Sequence, residues 1–252
     1  MKELRKIKLS HGAGGAETHK IIKEVILPKV DLRRALNGIG LDEMDDSATI
    51  PIKNAEVVIT TDSYTVNPIF FPGGNIGSLA ATGTINDLAV MGAKPIAMMD
   101  SIVVEEGFPI DDLDEIIRSF VNVVRSERAA LIGGDFKVMP RGAVDKMIIT
   151  ATGVGLALNG VIKDSGAKVG DKIIISGGIG EHGAAILAAQ MGIDVEGEKL
   201  KSDHMPITGL MEAALKIGGI HAAKDPTRGG IAMALNEFAE KSGTMIVIEE
   251  LK

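Results

Sequence analysis

The chain reads as an α/β protein built from two consecutive units, and three observations carry that reading. Apolar strand-like runs alternate with helical stretches along its 252 residues, the pattern of layered helices and sheet. Its 31 glycines punctuate those runs without forming a low-complexity tract, as many tight turns require. Midway, a turn at Asn159-Gly160 and the Lys163–Gly170 loop divide an N-terminal unit, 1–158, from a C-terminal unit, 159–252, where the alternation starts afresh.

Taken in order, Ala16–Leu27 fits a helix with Ile21, Ile22, Val25 and Ile26 on one face. Strands fit Glu56–Thr61, Ile96–Val104, Ala129–Ile132 and Lys146–Leu158. Between them, residues 75 to 92 read as a helix that is apolar on nearly every side, which predicts burial. Asp111–Val124 is helical in period and begins acidic, as the positive end of a helix dipole favours. In the second unit a strand fits Lys172–Ser176, then helices His182–Met191, Met205–Ile217 and Gly230–Lys241, and a strand Thr244–Ile248.

Composition removes several functions. The net charge is −7 with no Lys/Arg block, which argues against a nucleic-acid-binding face. With one Tyr, six Phe and no Trp, base-stacking platforms are also unsupported. The absence of cysteine excludes disulfides, thiolate metal sites and thiol nucleophiles. The start, MKELRKIKLSHGAGG, has no apolar core of a secretory signal, and every apolar run is interrupted before it could span a bilayer. These features predict a soluble, cytoplasmic protein.

Four segments set acidic residues beside turns or strand ends: Asp45-Asp46, Thr61-Asp62, Asn86-Asp87 and Gly133-Gly134-Asp135, the last followed by Phe136 and Lys137. At 100° per residue, Asp87 shares a helical stripe with Ile76, Leu79, Ala80, Gly83 and Val90, and Gly83 leaves room for a ligand. A carboxylate on such a stripe is costly unless paired, hydrogen-bonded or bound to a cation. Asp62 and Asp135, each read at the end of an apolar strand, could meet it at one centre. Asp45-Asp46 could contact magnesium directly or through water, although such a pair is more often a solvated turn. Hard oxygen donors among glycine-rich turns describe a magnesium–nucleotide site. Lys137 would add a point charge for phosphate.

Ser10-His11-Gly12-Ala13-Gly14-Gly15 precedes a helix, where free backbone N–H groups could fold over phosphates. Ser176–Gly183 lacks the Lys-Ser/Thr ending of a Walker A loop and reads as a strand-to-helix turn. Asp225-Pro226 has the form of a helix start. The following Thr-Arg-Gly-Gly, with Arg228, is less readily explained by structure alone.

Together HGAGG (11–15), DEMDDSA (42–48), TTDSYTVNPIFFPGGNIGSLAATGTINDLAVMGA (60–93), GGDFKV (133–138) and DPTRGG (225–230) occur in the order of the hydrogenase maturation HypE family. The resemblance covers essentially the whole chain. That family is similar to aminoimidazole ribonucleotide synthetase, selenophosphate synthetase and thiamine monophosphate kinase. It implies an N-terminal α/β domain that pairs its sheet in a homodimer, a C-terminal α/β domain, and an ATP–Mg2+ site in the groove between them. The implied activity is ATP-dependent dehydration of a protein-bound S-carboxamide to a thiocyanate, for the cyanide ligands of [NiFe] hydrogenase. HypF is the implied carbamoyl donor and the HypC–HypD scaffold the acceptor.

Carried over by motif, Asp45, Asp62, Asp87 and Asp135 become expected metal contacts. Gly12, Gly14, Gly15, Asp46, Asn86 and Gly134 join Asp45, Asp62 and Asp135 as nucleotide contacts, and Lys137 with Asp87 as catalytic groups. Two features depart from the pattern. Phe136 replaces a small polar residue, and the family's C-terminal Pro-Arg-Ile-Cys tail is not in the chain, whose second domain is expected to be incomplete. As written, the chain is therefore expected to bind ATP without completing the cyanide-forming cycle. A small-molecule kinase or synthetase of the same superfamily, and a non-catalytic nucleotide-binding maturation module, are the competing readings.

Overall fold

The computed structural model describes residues 6–193 and 200–249. Its first half is one five-stranded mixed sheet backed by two helices. The strands are β1 (Ala48–Ile52), β2 (Ala55–Tyr64), β5 (Lys94–Glu105), β6 (Ala130–Met139) and β7 (Met147–Ala157), in the order β1-β2-β7-β5-β6. A two-strand ribbon, β3 (Phe70–Phe71) with β4 (Gly74–Asn75), leads into helix α2 (Ile76–Val90). Helix α3 (Ile110–Ser126) makes the crossover between β5 and β6, the one parallel pair in the sheet, as a parallel connection demands.

Alternation in β7 decides which face is covered. Met147, Ile149, Ala151 and Ala157 are buried, while the intervening residues are only half-buried. The covered face packs on α2 and α3 through Ile76, Ala80, Ile85, Ile116, Phe120 and Val124. The first turn of α2 is fixed by Asn75, whose side-chain oxygen accepts from Gly77 N at 2.9 Å and Ser78 N at 3.1 Å. Close approach of α2 to α3 depends on Gly77, because a Cβ there would stand 2.1 Å from the Ile116 carbonyl oxygen.

Before the sheet lies α1 (Ala16–Ile21), whose end passes through a π turn at Ile22–Ile26 and a short 3-10 turn at Leu27–Lys29. The long helix expected over Ala16–Leu27 is thus irregular in its second half, with Pro28 close behind. After β7 a short 3-10 turn, Asp164–Gly166, precedes α4 (Glu181–Gln190), α5 (Thr208–Ile217) and α6 (Gly230–Ser242).

Several expectations need correction. Gly133-Gly134-Asp135 is not a turn after a short strand but the middle of β6, held by parallel pairing with β5. Gly134 serves close packing there, since a Cβ would lie 2.0 Å from Asp100 Oδ1. The strands expected at Lys172–Ser176 and Thr244–Ile248 carry no ladder among the described residues. A strand exists only by pairing, and no neighbouring strand meets them. Asp225-Pro226 does not open a helix: α6 starts five residues later, where Gly229 and Gly230 both take positive φ. Among the described residues, no helix is long and apolar enough to cross a membrane.

Candidate functional site

The site forms where α2, β2 and the Asp45-Asp46 loop meet the Lys224-Asp225 segment. Thr60 and Asp62 alternate with exposed Thr61 and so face α2. Thr60 Oγ1 donates to Asp87 Oδ2 at 3.0 Å and lies 3.2 Å from the Asp46 carbonyl oxygen. Asp87 is 8% exposed. Burial, then repulsion from Asp46, Asp62 and Asp225, holds its carboxyl well above the usual range, against the opposing Thr60 hydrogen bond. Asp62, expected at a strand end, stands within β2, two residues from its terminus.

Asp46 is gripped from both sides. Its Oδ1 accepts from Lys224 Nζ at 2.6 Å, and its Oδ2 from the Asp225 amide at 3.1 Å. Burial pushes its carboxyl up to about 6, with Lys224 opposing and Asp164 adding to the rise. Burial and the charge of Asp46 push Asp225 to about 7, while the Asn86 amide pulls it partly back. Asp46, Asp87 and Asp225, with Asp62 beside them, form an acidic cluster, and burial with mutual repulsion disfavours ionisation of the first three.

Asn86 is spent on the second half of the chain. Its Oδ1 accepts from Ile207 N at 3.0 Å and its Nδ2 donates to the Met205 carbonyl at 3.1 Å. Gly14 takes φ +81, and a Cβ on it would stand 2.6 Å from Arg228 Cβ. Arg228 Nη1 donates to the Gly12 carbonyl at 3.3 Å. The Gly12–Gly15 loop thus rests on the Thr-Arg-Gly-Gly turn that follows Asp225.

Other expected site residues lie elsewhere. Asp45 does not face the cluster: its side chain is 2% exposed and its Oδ1 accepts from Lys241 Nζ at 2.9 Å. The space read beside Gly83 is filled by Tyr64, whose Oη would stand 2.5 Å from a Cβ at that position. Gly134, Asp135 and Lys137 belong to the exposed edge strand β6. The register Asp62↔Ala151, Asp100↔Ala151 and Asp100↔Gly134 puts two strands between Asp62 and Gly134, a span of about 14 Å at the usual strand spacing. Asp135 and Lys137 pair with Ser101 and Val103 on the face away from α2. Asp135 and Lys137 therefore do not converge with Asp87 within one chain.

Sequence reasoning missed Thr60, Lys224, Asp164, Lys241 and Glu237 as parts of this site. Asp225 was visible, but as a helix cap. The cluster's donors are hard carboxylate oxygens with too little positive charge around them, which suits a magnesium ion. Among the described residues, no three His, Asp or Glu side chains already form a metal cage. Magnesium that carries phosphates needs only one or two carboxylates and keeps several waters.

The acidic cluster lies between an N-terminal sheet layer and a helical second half, and the sequence of both halves places the chain in the AIR synthase related class. Residues 44–157 match its N-terminal domain and 168–252 its C-terminal domain. The chain is 50% identical over 249 residues to a putative hydrogenase expression/formation protein of Methanocaldococcus jannaschii, covering 98% of this chain and 73% of that one. It is 39% identical over 247 residues to the carbamoyl dehydratase HypE of Cupriavidus necator, covering 97% and 69%. The chain belongs to the HypE family. Among solved structures, it is similar to HypE in a HypE–HypF complex, with a TM-score of 0.79, 35% identity, and 91% and 71% of the two chains covered. It is also similar to hydrogenase maturation protein HypE in complex with ATP, with a TM-score of 0.72, 37% identity, and 94% and 69% covered.

Proposed function

We propose that this chain is the ATP-binding body of a carbamoyl dehydratase acting in hydrogenase maturation. The observation that carries the reading is the 39% identity to a carbamoyl dehydratase HypE over 97% of the chain. The acidic cluster gives that reading a chemical basis. In the proposed reaction the amide oxygen of an S-carboxamide attacks the γ-phosphorus of ATP and ADP leaves. Loss of one N–H proton gives an O-phosphorylated imidate, and departure of phosphate with the second N–H proton leaves a thiocyanate. Magnesium held by Asp62, Asp87 and Asp225 would supply charge for the phosphate oxygens. Asp46, locked by Lys224, stands beside them, and the Gly12–Gly15 loop would lie over the nucleotide.

The working form in this reading is a homodimer. Edge strand β6 leaves Ile132 64%, Phe136 53% and Val138 56% exposed, and a long apolar edge invites pairing with a second chain. A second copy is also the route by which Gly134, Asp135 and Lys137 reach a nucleotide they do not approach within their own chain. HypF is the partner suggested by the solved HypE–HypF complex, with HypC–HypD as cyanide acceptor, all in the cytoplasm. The division at residue 158 belongs to the same proposal.

The reading is tested by titrating the purified chain with ATP in the presence and absence of magnesium, followed by calorimetry. Magnesium-dependent binding is expected. Binding of ATP that ignores magnesium, or no binding at all, refutes it. Incubation with HypF, carbamoyl phosphate and ATP should leave the mass of this cysteine-free chain unchanged, because only a thiolate carries the carboxamide.

A further inference from the structure

Asp164 is fully buried, at 0% exposure, yet it lies outside every motif that marks the nucleotide site. Its Oδ2 accepts from two ammonium groups at once, Lys224 Nζ at 2.8 Å and Lys241 Nζ at 2.8 Å. Lys224 comes from the segment before α6 and Lys241 from the end of α6.

Each lysine uses three donors. Lys224 reaches Asp46 at 2.6 Å, Asp164 at 2.8 Å and Glu237 at 3.0 Å. Lys241 reaches Asp164 at 2.8 Å, Asp45 at 2.9 Å and the Met44 carbonyl at 2.6 Å. Asp164 is thus the group that ties together the two cations holding Asp45 and Asp46.

Stability alone is a poor explanation for this arrangement. Four carboxylates surround two ammonium groups, and buried ion networks are often neutral or unfavourable against an apolar replacement. Asp45 Oδ2 and Asp164 Oδ1 are buried without a hydrogen-bond partner among the described residues, a further cost. What the network does provide is position. Both ammonium groups are saturated, so the loop carrying Asp45 and Asp46 is held to the second half of the chain at fixed points.

We propose that Asp164 is a positioning residue for the nucleotide site: by fixing Lys224 and Lys241 together, it sets the Asp45-Asp46 loop against Asp225. The inference rests on the magnesium–ATP reading given above. Asp164 touches neither nucleotide nor metal in this account and acts only through the two lysines.

The test compares the wild-type chain with Asp164→Ala and Asp164→Asn. Asparagine keeps an oxygen that can accept from both lysines, whereas alanine removes it. Hydrogen exchange without ligand is followed over residues 42–48 and at the Asp225 amide, and magnesium–ATP affinity is measured well below each variant's melting temperature. In Asp164→Ala, exchange should quicken at both places and affinity should fall about 10–100-fold, as for other groups that orient binding residues. Asp164→Asn should stay within about threefold of wild type, because its acceptor geometry survives. A folded Asp164→Ala with unchanged exchange or unchanged affinity overturns the proposal. So does equal loss in both variants, which would indicate general damage rather than lost positioning. Failure of the wild-type chain to bind magnesium–ATP refutes the function reading instead, and removes this role with it.

Discussion

Asp225→Asn should stabilise the protein while weakening its site. The carboxyl is raised from 3.8 to about 7, chiefly by burial and then by Asp46. Between those values the folded state holds a proton that the unfolded state has released, so stability falls as pH rises through the window. About 3 pH units at about 1.36 kcal/mol each gives a ceiling of about 4 kcal/mol. Partial exposure and sharing of the proton with Asp46 halve this to about 2 kcal/mol. Asparagine removes the penalty, so at pH 8 without magnesium its melting temperature should rise by roughly 4–8 °C. At pH 4 the two proteins should melt together. Magnesium should then narrow the gap, because only the wild type gains a counter-charge for its carboxylate. Scanning calorimetry at both pH values, with and without magnesium, reads all these outcomes. A variant less stable than wild type at pH 8, or equally stabilised at pH 4, refutes the electrostatic reasoning.

Three further outcomes are expected. Asp87→Asn should weaken magnesium–ATP binding by about 1–3 kcal/mol, and unchanged affinity by calorimetry would remove Asp87 from the site. Phe136→Glu, placed on the exposed edge of β6, should convert a dimer into a monomer at micromolar concentration, and light scattering decides whether it does. Gly77→Ala sets a Cβ 2.1 Å from the Ile116 carbonyl oxygen, so separating α2 from α3 should cost about 1–3 kcal/mol. Urea denaturation of that variant with an unaltered midpoint would contradict the packing.

Much of the fold was legible because its signals are local. The apolar stretch 75–92 became α2, and the acidic start of Asp111–Val124 became the first part of α3. The runs around Ile96–Val104 and Lys146–Leu158 became β5 and β7, each extended or trimmed by a residue or two. Glycine was the misleading signal. Gly133-Gly134 reads as punctuation, yet parallel pairing with β5 carries the strand straight through it. At Gly229-Gly230, by contrast, glycine marked the true start of the helix read over Gly230–Lys241, while the Asp-Pro pair upstream opened none.

The site was legible only as far as chemistry leaves a trace on its own segment. Asp87 betrayed itself because a carboxylate on an apolar helical stripe is costly and so needs a reason. Asp45 and Asp46 look alike in sequence, but one turns to Lys241 and the other to Lys224 and the Asp225 amide. Nothing within the DEMDDSA segment distinguishes them, because the lysines that do so lie almost two hundred residues away. Lys241 stands at the end of the helix read over Gly230–Lys241, Lys224 lies in the segment between helices, and Asp164 belongs to the boundary loop. Their meaning arises only when tertiary folding removes them from water together. At that point, every unmatched charge becomes expensive, and the orientation of each carboxylate is dictated by the cation it meets. The join between the two halves is therefore not passive packing. In the proposed site it would set which acidic side chains face a ligand, through residues that no local motif marks.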